Sequence, residues 1–233
     1  MLTKLPIDDF IFAIREPLLR GQNLVLIAEP GAGKTTRVPA ALCKDFQRIL
    51  VLEPRRMAAV SAADRIATEN GWELGKEVGY QVRFENLTSK ETRIVFMTEA
   101  LLIRRMLRDP ELQGVDLVIL DEFHERSLFV DLALGALREL QQMGSPLRIL
   151  VMSATLNTSR ISEFLGKAPV VQVPGQLHPL EIQYSKEPQM LNTGADFVSR
   201  VADAIKTVFT QRKGDLLAFL PGRGEIQRVQ PVS

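Results

Sequence analysis

The chain has 233 residues and carries 29 lysines and arginines against 28 acids, a formal net charge of +1. The molecule as a whole therefore offers no general attraction to polyanions, and any affinity for nucleic acid must come from local basic patches. A single cysteine, Cys43, excludes an intramolecular disulfide and leaves too few thiols for a zinc cluster. Hydrophobic residues make up 45% and charged residues 24%, the balance of a globular chain that buries a real core, long for one domain and short for two. Neither a basic-then-apolar leader nor an apolar stretch of bilayer length is visible, which predicts a cytoplasmic protein with no membrane partner.

In chain order, Leu5 to Leu19 has apolar residues at helical spacing (Ile7, Phe10, Ile11, Ile14, Leu18), with Pro17 ending or kinking the helix. Leu24 to Ile27 reads as a buried strand and Gly33 to about Cys43 as a helix. Short apolar runs then alternate with longer helical patterns. Arg48–Leu52, Ile94–Met97, Val115–Leu120 and Arg148–Met152 read as strands. Met57–Asn70, Glu99–Leu107 and Leu128–Gln142 read as helices, the first stopped by Gly71 and the second before Pro110. Such alternation with nearly continuous apolar strands predicts an α/β fold, a doubly wound parallel sheet covered on both faces. Val170–Val173 reads as the last strand of that unit and 174–179 as a linker. Beyond it a strand at Leu180–Tyr184, a helix at Ala195–Thr210 and a strand at Asp215–Leu220 are expected. One strand–helix–strand does not close a core, so this second unit reads as cut short.

The chemistry concentrates at strand ends. Ala28-Glu29-Pro30-Gly31-Ala32-Gly33-Lys34-Thr35-Thr36 follows a strand and opens a helix, the arrangement of a phosphate-binding loop. Glycine lets successive backbone N–H groups converge on a phosphate, and the helix start adds unpaired donors. Lys34 is then a mobile cation for the β and γ phosphates, and the Thr35 hydroxyl is a ligand for Mg²⁺. The loop departs from the strict pattern at Ala28, which is tolerable if that residue is extended at the end of its strand. Asp121-Glu122-Phe123-His124-Glu125-Arg126 follows the strand ending at Leu120. At the carboxyl edge of a parallel sheet it shares a crevice with the phosphate loop. Asp121 is placed to hold the Mg²⁺ hydration shell and Glu122 to deprotonate an attacking water. His124 is either structural or a transmitter of nucleotide state. Ser153-Ala154-Thr155 ends another strand and either caps a following helix or takes part in coupling. Arg55, Arg56 and Thr98, also at strand ends, are either solvated surface or contacts for nucleic-acid phosphates.

Taken together, the phosphate loop, Leu52-Glu-Pro-Arg-Arg-Met-Ala-Ala59, Tyr80-Gln-Val-Arg-Phe-Glu85, Met97-Thr-Glu-Ala100, Asp121-Glu-Phe-His-Glu-Arg126, Met152-Ser-Ala-Thr-Leu156 and Phe219-Leu-Pro-Gly222 closely resemble the DEAH-box branch of superfamily 2 helicases, and within it the bacterial HrpB type. The resemblance covers essentially the whole chain. It implies a RecA-like P-loop NTPase domain at 1–173, a linker at 174–179, and the incomplete start of a second RecA-like domain at 180–233. It implies ATP and Mg²⁺ as cofactors, and a single nucleic-acid strand as partner, RNA rather than DNA. Gly31, Ala32, Gly33, Lys34, Thr35 and Thr36 would bind nucleotide, with Asp121, Glu122 and His124 catalytic. Ser153 and Thr155 match the motif that couples hydrolysis to strand movement, and Arg55 and Thr98 match motifs that touch the bound strand. Arg65 is either the family's base-stacking arginine or an ordinary surface residue. Motifs that supply a glutamine and arginines from the second domain have no counterpart, so the chain taken alone is expected to bind nucleotide weakly and not to unwind a duplex. Two rivals remain: a P-loop NTPase that does not act on nucleic acid, and a non-catalytic binding fragment.

Overall fold

The computed structural model describes residues 4–154, 159–175, 181–184 and 195–230. These belong to two compact units, Met1–His178 and Pro179–Ser233.

In the first unit, residues of one strand feed two different cores. Along β1 (Leu24–Ala28), Leu24, Leu26 and Ala28 point to one side of the sheet and Val25 to the other, and all four are fully buried. The same holds for β2 (Ile49–Glu53), β5 (Ile94–Thr98), β6 (Leu117–Leu120) and β7 (Arg148–Ser153). A strand covered on both faces has no polar face to show, which is why these runs read as continuous apolar stretches. One face is packed by α1 (Ile11–Leu19), α2 (Lys34–Leu42) and α3 (Arg56–Asn70). The other is packed by α4 (Glu99–Met106), α5 (Leu128–Gln142) and α6 (Ser159–Phe164). With β3 (Val78–Val82), β4 (Glu85–Leu87) and β8 (Val170–Val173), the sheet has eight strands in the order β4-β3-β5-β2-β6-β7-β1-β8. Every pairing is parallel except that of β3 with β4. The carboxyl ends of β1, β2, β5, β6 and β7 thus share one edge, where ligands gather in sheets of this kind.

Two departures from the sequence reading stand out in this unit. The opening helix is two pieces, a 3₁₀ turn over Pro6–Phe10 and then α1, and Pro17 sits inside α1 without ending it. The hairpin β3–β4 had no strand signal, because β4 is exposed along its length and lacks an apolar run. Gly79 makes it possible: a Cβ there would collide with the carbonyl of Leu87 on β4.

In the second unit, α7 (Ala195–Gln211) and α8 (Arg223–Val229) form as regular helices. The expected strands at 180–184 and 215–220 do not: residues 181–184 and 215–220 have no regular structure, and Leu180 lies outside the described residues. An extended segment becomes a strand only by pairing its backbone with a neighbour, and no other strand of this unit occurs among the described residues.

Candidate active site

The phosphate loop runs from the end of β1 to the start of α2. Gly31 (φ +81°) and Gly33 (φ +93°) both occupy the left-handed region, which costs glycine nothing and a residue with a Cβ far more. A Cβ on Gly33 would in addition strike Leu5 and Ile7. That segment also holds the loop in place, because the Ile7 amide donates to the Ala32 carbonyl at 3.1 Å. Ala28 is the last residue of β1, paired with Val173 of β8, so its extended backbone has no need of glycine. Thr36 is half-buried in the first turn of α2.

Lys34 and Thr35 reach across to the loop that follows β6. The Lys34 side chain is only 4% exposed, and its Nζ lies 2.8 Å from Oε1 of Glu122. Thr35 Oγ1 donates to Oδ2 of Asp121 at 2.5 Å. Oδ1 of the same carboxylate accepts the Glu122 amide at 2.8 Å. Glu122 itself is left-handed, with φ +48° and ψ +36°. For a residue with a Cβ this conformation is uncommon, and strain of this kind gathers where a side chain must be aimed.

Glu53 is a residue of the site that the sequence reading missed. It ends β2, which neighbours β6 in the sheet with Leu52 opposite Leu120, so it falls beside Asp121. Glu53 is 2% exposed, and its Oε1 is buried without a hydrogen-bond partner among the described residues. Burial, with the charge of Asp121 next, pushes its pKa up to about 9, so it is protonated at neutral pH. Burial likewise raises the Asp121 carboxyl, against the opposing pull of Lys34 and Thr35. The signal available in the sequence was an acid closing an apolar strand. These hard oxygen donors, a hydroxyl and a carboxylate in contact beside a buried acid, fit a magnesium ion shared with nucleotide phosphates.

His124 links this cluster to the end of β7. Its Nε2 lies 3.4 Å from Oε2 of Glu122, while its Nδ1 accepts the Ala154 amide at 3.3 Å. Because Nδ1 accepts, the network assigns the proton of the neutral ring to Nε2, facing the Glu122 carboxylate. Ser153 is buried at the end of β7, and Thr155 lies outside the described residues.

The remaining residues singled out from the sequence spread along the same sheet edge. Arg55 sits at the N-cap of α3, and its exposed guanidinium lies 3.0 Å from Glu125. Arg56 pairs with Glu85 of β4. Thr98 precedes α4 and lines a groove of about 960 Å³ together with Arg83, Phe84, Arg104, Arg108 and Phe129. Arg83 and Phe84 form the turn of the hairpin, with the Arg83 guanidinium 4.7 Å from the Phe84 ring centroid. Arg104 and Arg108 were not picked out from the sequence; Arg104 lies in α4 and Arg108 in the turn that follows it. Arg65 is exposed on α3 and pairs with Glu69 one turn on at 2.8 Å. Glu69 lies 3.6 Å from Arg37 of α2, so Arg65 faces the phosphate-loop helix rather than the groove.

Behind the groove, Glu99 is 7% exposed and accepts from the hydroxyl of Ser127, which also caps α5 by accepting the Val130 amide at 2.9 Å. Burial raises the Glu99 carboxyl above its ordinary 4.5. The folded form then holds the proton more tightly than the unfolded form, so stability falls as pH rises above about 4.5 toward the raised value. Glu99→Gln keeps an acceptor for Ser127 and removes the ionisation. Thermal melts at acid and at mildly alkaline pH should therefore show a smaller loss across that range in the variant than in the parent. An equal loss in both would assign the pH dependence to other groups.

Comparison with known proteins places this architecture. The family model for DEAD/DEAH box helicases matches residues 13–164. A crystal structure of the Escherichia coli DEAH/RHA helicase HrpB superposes with a TM-score of 0.89 at 42% sequence identity, covering 98% of this chain and 29% of that one. A crystal structure of the E. coli DExH-box NTPase HrpB gives a TM-score of 0.79 at 42% identity, covering 100% of this chain and 29% of that one. The chain therefore spans less than a third of the length of these relatives.

Proposed function

Because this chain belongs to the DEAD/DEAH box helicase family, we propose that it is the nucleotide-binding core of an ATP-dependent helicase that couples ATP hydrolysis to movement along a single strand, RNA in preference to DNA. Residues 1–173 are the first RecA-like domain in this reading, 174–179 the connector and 180–233 the opening of the second.

One observation carries the assignment: an unbroken chain of contacts from Lys34 through Glu122 and His124 to the backbone of Ala154. Gly31 to Thr36 present backbone donors to the phosphates, and Lys34 supplies the cation of the loop. Thr35 and Asp121 would hold Mg²⁺, which when bound screens the phosphate charge. Glu122 accepts the proton of the attacking water. His124 holds Glu122 by one ring nitrogen and the loop after β7 by the other, so a shift of Glu122 is felt at Ser153, which in this reading forms the coupling motif with Thr155. Arg55, Arg56 and Thr98 meet the strand, and Arg65 takes the base. Lys34 is the cation that pairs with Glu122, and phosphoryl transfer to water draws on additional cations. The family motifs that supply such cations have no match in these residues, so in this reading hydrolysis by this chain alone is slow. The preference for RNA rests on the DEAH-box motifs and not on any contact with a base.

The test is ATP turnover with and without single-stranded RNA and DNA. Stimulation by RNA above that by DNA is expected. Arg55→Ala with Arg56→Ala should lose that stimulation and weaken strand binding about equally for all sequences, since phosphate contacts do not read bases. Turnover indifferent to either nucleic acid would point instead to a P-loop NTPase with another substrate. No turnover, with nucleotide binding intact, would leave a binding module.

A further inference from the structure

The edge of the sheet opposite the phosphate loop carries a second polar cavity. A groove of about 370 Å³ opens at the amino ends of β1 and β7, between the last turn of α5 and the turn after α6, and its lining among the described residues includes Arg138, Arg148 and Lys167 but no carboxylate. This volume is in the range of small-ligand sites, and the strand length separates it from the phosphate loop by roughly 15 Å.

None of Arg138, Arg148 and Lys167 forms an ion pair among the described residues. Arg148 donates no side-chain hydrogen bond there, and its Nε is buried without a partner. The carboxylate of Asp116, whose carbonyl takes the Arg148 amide, accepts instead from the amides of Gln47 and Arg48 at 2.6 and 3.2 Å. A buried guanidinium donor without an acceptor is costly, and the cost is relieved when an anion supplies one.

The walls are built to hold these groups in place. Gly21 (φ +87°) lies under Arg148, where a Cβ would stand 3.1 Å from Nη2. Gly166 (φ +81°) lies under Arg138 in the same way, at 3.3 Å from its Nη2. Arg138 is further fixed by donating to the Phe164 carbonyl at 3.1 Å and to Gln141 Oε1 at 3.2 Å. Gln141 in turn donates at 2.8 Å to the buried Asn23, whose Oδ1 also takes the Ile149 amide at 2.9 Å. This network preorganises the Arg138 guanidinium, which would otherwise splay into solvent.

We propose that this groove is a binding site for a phosphate group, carried free or as a small phosphomonoester, distinct from the nucleotide site. A guanidinium fork and an ammonium around one cavity match a tetrahedral oxyanion in both charge and donor geometry. The site depends on no part of the helicase reading, since no residue that lines it was assigned to ATP or to the strand.

The experiment is a titration of the full chain with orthophosphate, followed by the backbone amide resonances of Gly21 and Gly166, with Gly31 and Gly33 reporting the phosphate loop separately. Saturable shifts at Gly21 and Gly166 are expected in the millimolar range. Arg148→Gln and Lys167→Gln should each weaken that response by about ten-fold, the loss of one charge-assisted contact, while the response of Gly31 and Gly33 stays unchanged. Lys167 is exposed in a turn, so its variant tests the site even if Arg148→Gln disturbs the fold. Ribose 5-phosphate forms the second arm: tighter binding than orthophosphate assigns a phosphomonoester, and equal binding assigns free phosphate. Absence of any shift at Gly21 and Gly166, or shifts indifferent to both substitutions, would overturn the site and leave Arg138 as a partner of the Phe164 carbonyl that ends α6.

Discussion

Glu122→Gln should lower ATP turnover by about 10²–10⁴-fold, the range of a removed general base, while nucleotide affinity changes little. The amide keeps the length of the side chain and still offers an oxygen to Lys34, whose ammonium lies 2.8 Å from Oε1 in the parent. It cannot take a proton from water. It also meets His124 differently, because the Nε2–H that faces Oε2 at 3.4 Å loses a charged acceptor. The variant is therefore expected to accumulate the nucleotide-bound form. Steady-state turnover beside an equilibrium titration with ATP separates the two effects. Turnover equal to that of the parent would remove Glu122 from the role of base, and a matching loss of affinity would assign it to binding.

Lys34→Ala is expected to act on the other quantity. Its ammonium is buried at 4% exposure between the phosphate loop and the acid loop, and truncating one partner of a buried charge pair costs about 2–5 kcal/mol. Affinity for Mg-ATP should fall on the order of 10²-fold or more. Part of that loss comes from Glu122, which would then turn an uncompensated carboxylate toward the γ-phosphate. Combining Lys34→Ala with Glu122→Gln should hence recover some binding but no turnover. Calorimetric titration of the single and double variants checks both statements, and unchanged affinity in Lys34→Ala would sink the assignment of the loop.

What was legible in the sequence follows from what each element needs. The strands β1, β2, β5, β6 and β7 announced themselves because burial on both faces demands an unbroken apolar run, and that demand is local. The hairpin β3–β4 did not, since its formation turns on Gly79 letting the Leu87 carbonyl approach, a contact between residues eight apart with no periodic trace. The opposite error occurred at 215–220, where an apolar run has no neighbouring strand among the described residues. In the site, Lys34, Thr35, Asp121 and Glu122 were readable because a glycine turn and an acid pair at strand ends carry their own signal. Glu53 was not, because its importance comes from the order of strands, which puts β2 beside β6. The contacts of His124 to both Glu122 and Ala154 needed the third dimension in the same way.

The pairs Arg55–Glu125 and Arg56–Glu85 have a consequence for how salt acts on strand binding. A bare arginine that neutralises a nucleic-acid phosphate releases condensed ions, and affinity then falls steeply with ionic strength. Here each guanidinium already has a resident counterion in Glu125 or Glu85. A strand that takes over Arg55 and Arg56 must evict those carboxylates, which gather cations from solution as the phosphates shed theirs. Net ion release per contact is thereby reduced, and the slope of log affinity against log salt should be shallower than the number of arginines at the edge implies. At these two positions the free protein, with Arg55 and Arg56 answered by its own acids, offers correspondingly little to a non-specific polyanion.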